Sequence, residues 1–310
     1  MVVYPGDKNH LPYDVVVQTL RTNEPEPPAP AAEPEKAPDE VLDEHPVSVQ
    51  VNGEWQTFPN ARAAEEAAYG EYKENLRRSA ENFHITDDHL GEGGPKAKFQ
   101  ANIEAIKLLK YLEETTGQAT PEQQQVLSRY VGWGGLADAF DPDKESWSKE
   151  YAQLKELLTP EEYAAARSST LNAHYTSPTV IQAIYEAVGR MGFETGNILE
   201  PSMGVGNFFG MLPEEMRNSR LYGVELDSIS GRIAQQLYPK ADITVAGFET
   251  TDRRDFYDLA IGNVPFGQYQ VRDKAYDKLN FNIHNYFFAK ALDQVRPGGV
   301  VAFVTSRYTM

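Results

Sequence analysis

Three short segments of this 310-residue chain carry residue types whose order and spacing could do chemistry. The first is Glu200-Pro201-Ser202-Met203-Gly204-Val205-Gly206-Asn207-Phe208, placed directly after a β-prone run. A Gly-x-Gly turn after a strand lets a ligand approach backbone that side chains would otherwise block. The second is Gly223-Val224-Glu225-Leu226-Asp227, in which Glu225 lies nineteen positions beyond Gly206. A carboxylate at that distance can accept hydrogen bonds from ribose hydroxyls, so the pair indicates an adenosine-containing cofactor. A nicotinamide dinucleotide fits the spacing too, but the third glycine of its fingerprint is missing, because Asn207, Phe208 and Phe209 follow. The third segment, Asp258-Leu259-Ala260-Ile261-Gly262-Asn263-Val264-Pro265-Phe266-Gly267, ends a further apolar run. The carboxyl end of a strand is where ligands of open α/β sheets bind.

The elements that must hold these segments are legible from the hydrophobic pattern. From Asn197 onward, short apolar runs at 197–199, 221–224, 243–245, 258–261 and 300–305 alternate with helical stretches, which implies βαβ units and a parallel sheet. A helix over 178–190, capped by Ser177, carries Ile181, Ile184, Tyr185 and Val188 on one face and should pack on that sheet. An amphipathic helix is expected over 281–295, and Pro297-Gly298-Gly299 turns the chain into the fifth strand. Residues 83–171 read as mostly helical, with capping boxes at Thr120-Pro121-Glu122-Gln123 and Thr159-Pro160-Glu161-Glu162. Between them, Val131-Gly132-Trp133-Gly134-Gly135-Leu136 is either a structural turn around a tryptophan or a loop lining the active cleft. Farther upstream, Asn52-Gly53 favours a type I′ hairpin between 47–51 and 54–58, followed by a helix capped by Asn60. The domain plan is an arm over 1–22, an acidic linker over 23–46, hairpin and helix over 47–81, a helical region over 82–172, and a Rossmann-like α/β domain over 173–310.

Composition narrows the chemistry. The chain has no cysteine, which excludes disulfides, thiolate metal sites and a cysteine nucleophile. His174 has no metal-ligand partner at suitable spacing and reads as structural. There is no run of about 18 apolar residues and no secretory leader, so neither a membrane span nor export is expected and the chain reads as cytoplasmic. The net charge of −17 weighs against a chain that wraps nucleic acid unaided. Part of that charge is local: 24–44 holds eight acids and one Lys among Pro and Ala, the composition of a disordered linker. Lys96, Lys98, Lys107 and Lys110 either face phosphate or form a solvated helix face.

With the dinucleotide fingerprint incomplete, S-adenosylmethionine is the favoured cofactor. The segment ending Asn263-Val264-Pro265-Phe266 resembles the Asn-Pro-Pro-aromatic motif of amino-methyltransferases. Its position after the Glu-Pro-x-x-Gly-x-Gly turn resembles the order in gamma-class N6-adenine DNA methyltransferases. That resemblance implies a Rossmann-like sheet preceded by a helical region, with Asn263, Val264, Pro265 and Phe266 at the reacting centre. Thr176, within Ala173-His174-Tyr175-Thr176-Ser177-Pro178, is the implied contact to the methionine part of the cofactor. Glu200, Pro201, Gly204, Gly206, Glu225, Phe248 and Asn263 complete the implied cofactor site.

The chemistry fits those residue types. An exocyclic amine conjugated to its ring is a poor nucleophile until acceptors hold its N–H groups, and the Asn263 side chain and Val264 carbonyl can supply them. Phe266 would stack on a base flipped from the duplex. Two positions depart from the family pattern. Val264 replaces the usual Pro, where only a carbonyl is used. Ala246-Gly247-Phe248 replaces an Ala-Asp-Phe sequence, removing the carboxylate that holds the cofactor's adenine amino group, with Glu249 or a backbone group as the candidate substitute.

Residues 82–310, including Ile85-Thr86-Asp87-Asp88-His89-Leu90-Gly91 and Thr305-Ser306-Arg307-Tyr308-Thr309-Met310, resemble the methyltransferase segment of large methyltransferase–helicase proteins of bacterial conjugative elements and phages. DNA and a helicase-like region of a longer polypeptide are the partners this implies. The family's sheet has seven strands and this sequence stops after the fifth, so a fragment is expected. Methylation of rRNA or of a protein glutamine, or a catalytically silent module of a mobile element, are the other functions these residues allow.

Overall fold

The computed structural model describes residues 45–51, 53–87, 91–115, 117–170, 176–267 and 269–305. The arm, most of the acidic linker, Asn52, 88–90, His174 with its neighbours 171–175, and the segment 306–310 lie outside the described residues. Two compact units are present, one ending at Ser79 and one beginning at Ala80. In the first, β1 (Val47–Val51) pairs antiparallel with β2 (Glu54–Phe58), and Gly53 takes the positive φ of 79° that the turn requires. The following helix α1 (Ala61–Ser79) starts where expected, with the Ala63 amide donating to Asn60 Oδ1 at 2.8 Å.

The second unit opens with residues 81–87, which form neither helix nor strand. Their backbone joins the main body instead, Phe83 N donating to Leu237 O and Ile85 N to Gly210 O. A helical layer follows: α2 (Pro95–Glu114), α3 (Pro121–Leu127), α4 (Ser148–Leu157) and α5 (Pro160–Ser169). Both capping boxes form, Thr120 with Gln123 and Thr159 with Glu162. Next come α6 (Pro178–Arg190), β3 (Asn197–Glu200), α7 (Asn207–Gly210), β4 (Arg220–Glu225), α8 (Ser228–Leu237), β5 (Asp242–Val245), β6 (Tyr257–Asn263), α9 (Ile283–Gln294) and β7 (Val295–Val304). Ser177 occupies the N-cap position of α6, but its side chain makes no capping hydrogen bond.

The five strands form one parallel sheet in the order β5-β4-β3-β6-β7. Successive strands run outward to one edge from β3 and then restart on its other side with β6. This is the Rossmann-like α/β arrangement, and its topological switch point lies between β3 and β6. The final strand starts earlier than its apolar run suggests. Val295 already pairs with Tyr257, the ladder then slips across Pro297-Gly298-Gly299, and regular pairing resumes at Val300 opposite Leu259.

The helical layer and the sheet share one hydrophobic core, in which Phe99, Ile106, Leu127 and Trp133 join Ile181, Ile198, Ile233 and Leu259. Polar groups fix the same junction. Gln124 Nε2 donates to the carbonyls of Gln236 and Leu237 at the end of α8, and Ala119 N donates to Gln236 Oε1. Arg232 on α8 meets Glu113 and Glu162, and Lys110 meets Glu162 at 3.0 Å. The described residues from Ala80 to Thr305 therefore form one compact unit. Lys96 is committed to Glu150 and the Trp147 ring, and Lys110 to Glu162, so two of the four lysines are engaged within the layer.

Candidate functional site

At the switch point the turn after β3 is held from both sides. Met203 N donates to Val224 O, Gly206 N to Met203 O, and Ser202 Oγ to the carbonyl of Asn263. Gly204 N donates to Glu225 Oε2 at 2.7 Å, and Asp227 N donates to Glu225 Oε1 at 2.8 Å. The glycines do different things. Gly204 has φ 56°, and a Cβ there would meet nothing within 4 Å, so its face is open. Gly206 has φ 81° and lies against Tyr238, where a Cβ would come within 2.5 Å of the ring. Gly206→Ala is expected to destabilise the unit by about 1–3 kcal/mol, read by denaturant unfolding, because both the backbone and the ring must shift.

A cavity of about 250 Å³ opens at these strand ends. One wall consists of Ser202, Gly204, Val205, Glu225, Asp227 and Ser230, and Asn263, Val264, Pro265 and Phe266 form another. Gly262, just before Asn263, has φ 147°, and a Cβ there would press on Glu200 Cγ at 3.3 Å. The glycine thus lets β6 end beside β3 with Asn263 turned to the cavity. Val264 is 1% exposed, and the Phe266 ring stacks on His284 with centroids 5.6 Å apart and planes 19° from parallel. His284 is held in turn by Thr305, with 2.6 Å between Nε2 and Oγ1.

Six of the residues expected from sequence therefore meet at one cavity: Gly204, Glu225, Asn263, Val264, Pro265 and Phe266. The others stand elsewhere. Glu200 and Pro201 lie behind the turn, with Glu200 buried and its Oε2 without a hydrogen-bond partner. Burial, followed by the neighbouring charge of Glu225, holds the Glu200 carboxyl well above the usual carboxylate range. Burial also pushes Glu225 up to about 7. Thr176 directly precedes Ser177, the N-cap of α6, and does not line the cavity, nor does Gly206. Phe248 is 3% exposed and packs on Phe287, with centroids 5.0 Å apart, inside the core between β6 and α9. At Gly247, a Cβ would collide with the Glu249 carboxylate, which folds back over the position where the expected side chain would begin.

Sequence reasoning left the glycine-tryptophan segment open, and the structure places it at the site. Tyr130, Val131, Gly132, Trp133 and Ser169 of the helical layer supply a further cavity wall. The cluster of glycines around an aromatic residue was the available signal. Asp227 lies within the second motif segment, and nothing in the local sequence of Ser169 or Ser230 marked them. Among the described residues there is no group of acidic or histidine side chains arranged to hold a metal ion. No helix among them is long and apolar enough to cross a membrane.

No protein-family model matches the chain. It is 27% identical over 220 residues to Defense against restriction protein B of Escherichia phage P1, a match covering 69% of this chain and 8% of that protein. Over 92 residues it is 37% identical to the type II methyltransferase M.CvrRI of Paramecium bursaria Chlorella virus XZ-6E, covering 30% of this chain and 24% of that one. The chain is homologous to both and spans a small part of the length of each. Among solved structures it is similar to a class I S-adenosylmethionine-dependent methyltransferase of Listeria monocytogenes, with TM-score 0.37 and 15% identity over 69% of this chain and 74% of the other.

Proposed function

We propose that residues 80–310 bind S-adenosylmethionine and transfer its methyl group to the N6 amino nitrogen of an adenine turned out of DNA. One observation carries this reading: a single cavity brings Gly204 and Glu225 together with Asn263, Val264, Pro265 and Phe266. The homologous viral protein is a type II methyltransferase, which supports the same reaction class.

The residues present fit the cofactor. A carboxylate has roughly four lone-pair positions, and those on Glu225 are partly used by the amides of Gly204, Asp227 and Leu226. The remainder can accept from the vicinal hydroxyls of a ribose. Gly204 leaves open backbone beside that carboxylate, and Leu226, 76% exposed at the same strand end, offers an apolar face to a purine. Glu200 and Glu225 are both held up in pKa by burial, and a cationic ligand relieves that penalty. The position of Glu249 over Gly247 supports it as the acceptor for the cofactor's adenine amino group.

When bound, S-adenosylmethionine supplies a methyl group made electrophilic by its sulfonium sulfur. The protein's part is to hold the amine. Asn263 Oδ1 and the Val264 carbonyl accept the two N–H groups, which raises electron density on nitrogen and aims its lone pair at the cavity. The methyl would pass to nitrogen as its C–S bond breaks and S-adenosylhomocysteine leaves, and the same acceptors would stabilise the positive charge developing on nitrogen until its proton passes to water. Phe266, braced by His284, gives the base a stacking surface. Phe266→Ala is expected to lower kcat/KM for DNA by about 10- to 100-fold, since stacking of a base on an aromatic ring contributes ~1–3 kcal/mol. Steady-state kinetics on duplex DNA checks it.

Transfer of label from methyl-labelled cofactor, compared across DNA, rRNA and protein, tests the substrate class. Label in N6-methyladenine supports the proposal, and label confined to rRNA or to a protein glutamine moves the assignment to that polymer. The name of the phage relative supports a role in a mobile element's encounter with restriction; a helicase-like region of a longer polypeptide is the partner that the resemblance of residues 82–310 adds to the proposal. The loss of the usual acid at Gly247 favours a second reading, a catalytically silent module. On that reading Asn263→Ala leaves the element's biological effect intact.

A further inference from the structure

The loop between the reacting segment and α9 starts and ends at the Phe266 ring. Gly267 follows Phe266, Ile283 N donates to Tyr269 O at 2.8 Å and closes the loop at its base, and His284, the next residue, stacks on Phe266. The Tyr269 ring crosses Gly267, where a Cβ would come within 2.6 Å of it, and this ring is 51% exposed. The inner side of the loop is tied to α9. Asp273 Oδ2 accepts from Lys290 Nζ at 2.7 Å and from the Tyr286 hydroxyl at 2.8 Å, in an ion pair whose side chains are 4% and 10% exposed for Lys290 and Asp273. Tyr276 is buried beside it and donates to Asp293 Oδ2 at 2.7 Å. Ala275 N donates to Asp273 Oδ1, Asp273 N donates to Asp277 Oδ1, and Asn280 turns the chain back with φ 51°.

The outer side is cationic. Arg272, Lys274 and Lys278 are exposed. The neighbouring cations Arg254, Lys290 and Arg296 are each paired with an acid, whereas among the described residues Arg272, Lys274 and Lys278 form no ion pair. Asp273 is neutralised by Lys290, so over residues 269–280 three cations face the single acid Asp277. In a chain of net charge −17 this is a local reversal of sign, and it occurs in the loop that carries the stacking ring at its base. Cations that take phosphates beside an exposed aromatic ring that takes a base are the combination that holds a nucleic-acid strand.

We infer that residues 269–280 form a DNA-binding surface, in which Arg272, Lys274 and Lys278 contact backbone phosphates flanking the flipped adenine and Tyr269 stacks on a neighbouring base. The inference rests on the DNA reading above and deepens it by naming the surface that holds the duplex at Phe266. The Asp273–Lys290 pair then has a use in placing that surface. A duplex held on a local cationic strip is compatible with a strongly acidic chain, because its affinity depends on the few charges that meet phosphate.

The experiment titrates the 310-residue chain into a fluorescein-labelled DNA duplex of mixed sequence and reads anisotropy over a series of salt concentrations. One variant carries Arg272→Ala, Lys274→Ala and Lys278→Ala together. A control carries Lys149→Ala, Arg190→Ala and Arg217→Ala, exposed cations outside the loop whose removal changes the net charge equally. Each phosphate contact contributes about 0.9 to the slope of log K against log salt, so the loop variant should lose about 2–3 of that slope and bind at least about tenfold more weakly at about 0.1 M salt. The control should bind like the parent, and Arg272→Lys with Lys274→Arg and Lys278→Arg should keep the parent's slope. Tyr269→Ala should weaken binding at least about fivefold with the slope unchanged. Affinity for S-adenosylhomocysteine should hold in the triple variants, since none of their positions lines the cavity. A loop variant with the parent's affinity and slope, or a control that loses as much, overturns the inference and leaves the DNA reading standing. Displacement of the duplex by rRNA at lower concentration than by unlabelled duplex overturns the assignment of the surface to DNA. A folded parent chain that binds no duplex also overturns the inference, and label transfer to DNA on the same samples then shows whether the reading above falls with it.

Discussion

Replacing Asn263 by Ala is expected to lower methyl transfer at saturating cofactor by at least about 100-fold, the loss typical of one preorganised group that stabilises transition-state charge. Affinity for S-adenosylmethionine should change little. The reasoning is geometric. Asn263 ends β6 in the cavity, and its backbone carbonyl, which accepts from Ser202 Oγ at 2.9 Å, survives the substitution. On the proposed reading, alanine therefore leaves the backbone contact to the turn after β3 in place and removes the side-chain acceptor for the amine. Its partner acceptor, the Val264 carbonyl, remains and cannot replace it, because two N–H groups need two acceptors. Single-turnover transfer with labelled cofactor, with binding measured in parallel, separates the two effects. A joint loss of binding and transfer would mean that Asn263 serves the fold of the cavity instead.

The second large effect is on pH. Burial pushes the Glu225 carboxyl up to about 7 from its ordinary value of 4.5. On the proposed reading ribose hydroxyls donate to the ionised carboxylate, so the ligand selects that form. At pH 6 only about one molecule in eleven carries the ionised group, and apparent affinity for S-adenosylhomocysteine should be about tenfold weaker than at pH 8. It should level off above pH 7. Glu225→Gln should bind weakly and lose the pH dependence. The sign for folding is opposite. A carboxyl whose folded pKa is raised holds its proton more tightly folded than unfolded, so its contribution to stability is lost as pH climbs from about 4.5 through 7. Calorimetric titrations at pH 6, 7 and 8 on both proteins check the binding, and thermal melts over the same range check the stability.

Most of the fold was legible because its elements are marked by strong local signals. The two Thr-Pro capping boxes, the Asn60 cap and the alternation of apolar runs with helices from Asn197 onward all describe what forms. The misses have tertiary causes. Residues 81–87 lie near polar and helical sequence, yet their amides bond to Leu237 and Gly210, partners more than a hundred positions away. The early start of β7 depends on pairing of Val295 with Tyr257 across a bulge, which no apolar run announces.

At the site, residues joined by short spacing along strand ends were readable, and Gly204, Glu225 and the segment from Asn263 to Phe266 converge. Those brought in by packing were not. Phe248 looks like a surface for a purine in sequence, but in the fold it is enclosed by Phe287 and Tyr286, because α9 covers that side of the sheet. Trp133 arrives from a separate layer, positioned by Asn102 from a helix some thirty residues earlier. Ser230 and Asp227 reach the cavity only because α8 begins directly under the Glu225 strand end, Asp227 capping the helix through Ser230 N.

Calorimetric titration of S-adenosylmethionine into the purified chain, beside a Gly204→Asp variant, tests the central claim most directly. Gly204 has open space for a side chain, and its φ of 56° strains any residue but glycine by about 1–2 kcal/mol, with Asp among the residues that adopt it most readily. A thermal melt run beside the titration establishes that the variant is folded, and in the folded variant the new carboxylate blocks the open backbone beside Glu225. Saturable binding by the parent chain, lost in the variant, is the predicted result. A folded parent chain that gives no binding heat, or a variant that binds as well as the parent, would contradict the assignment of this cavity to the cofactor.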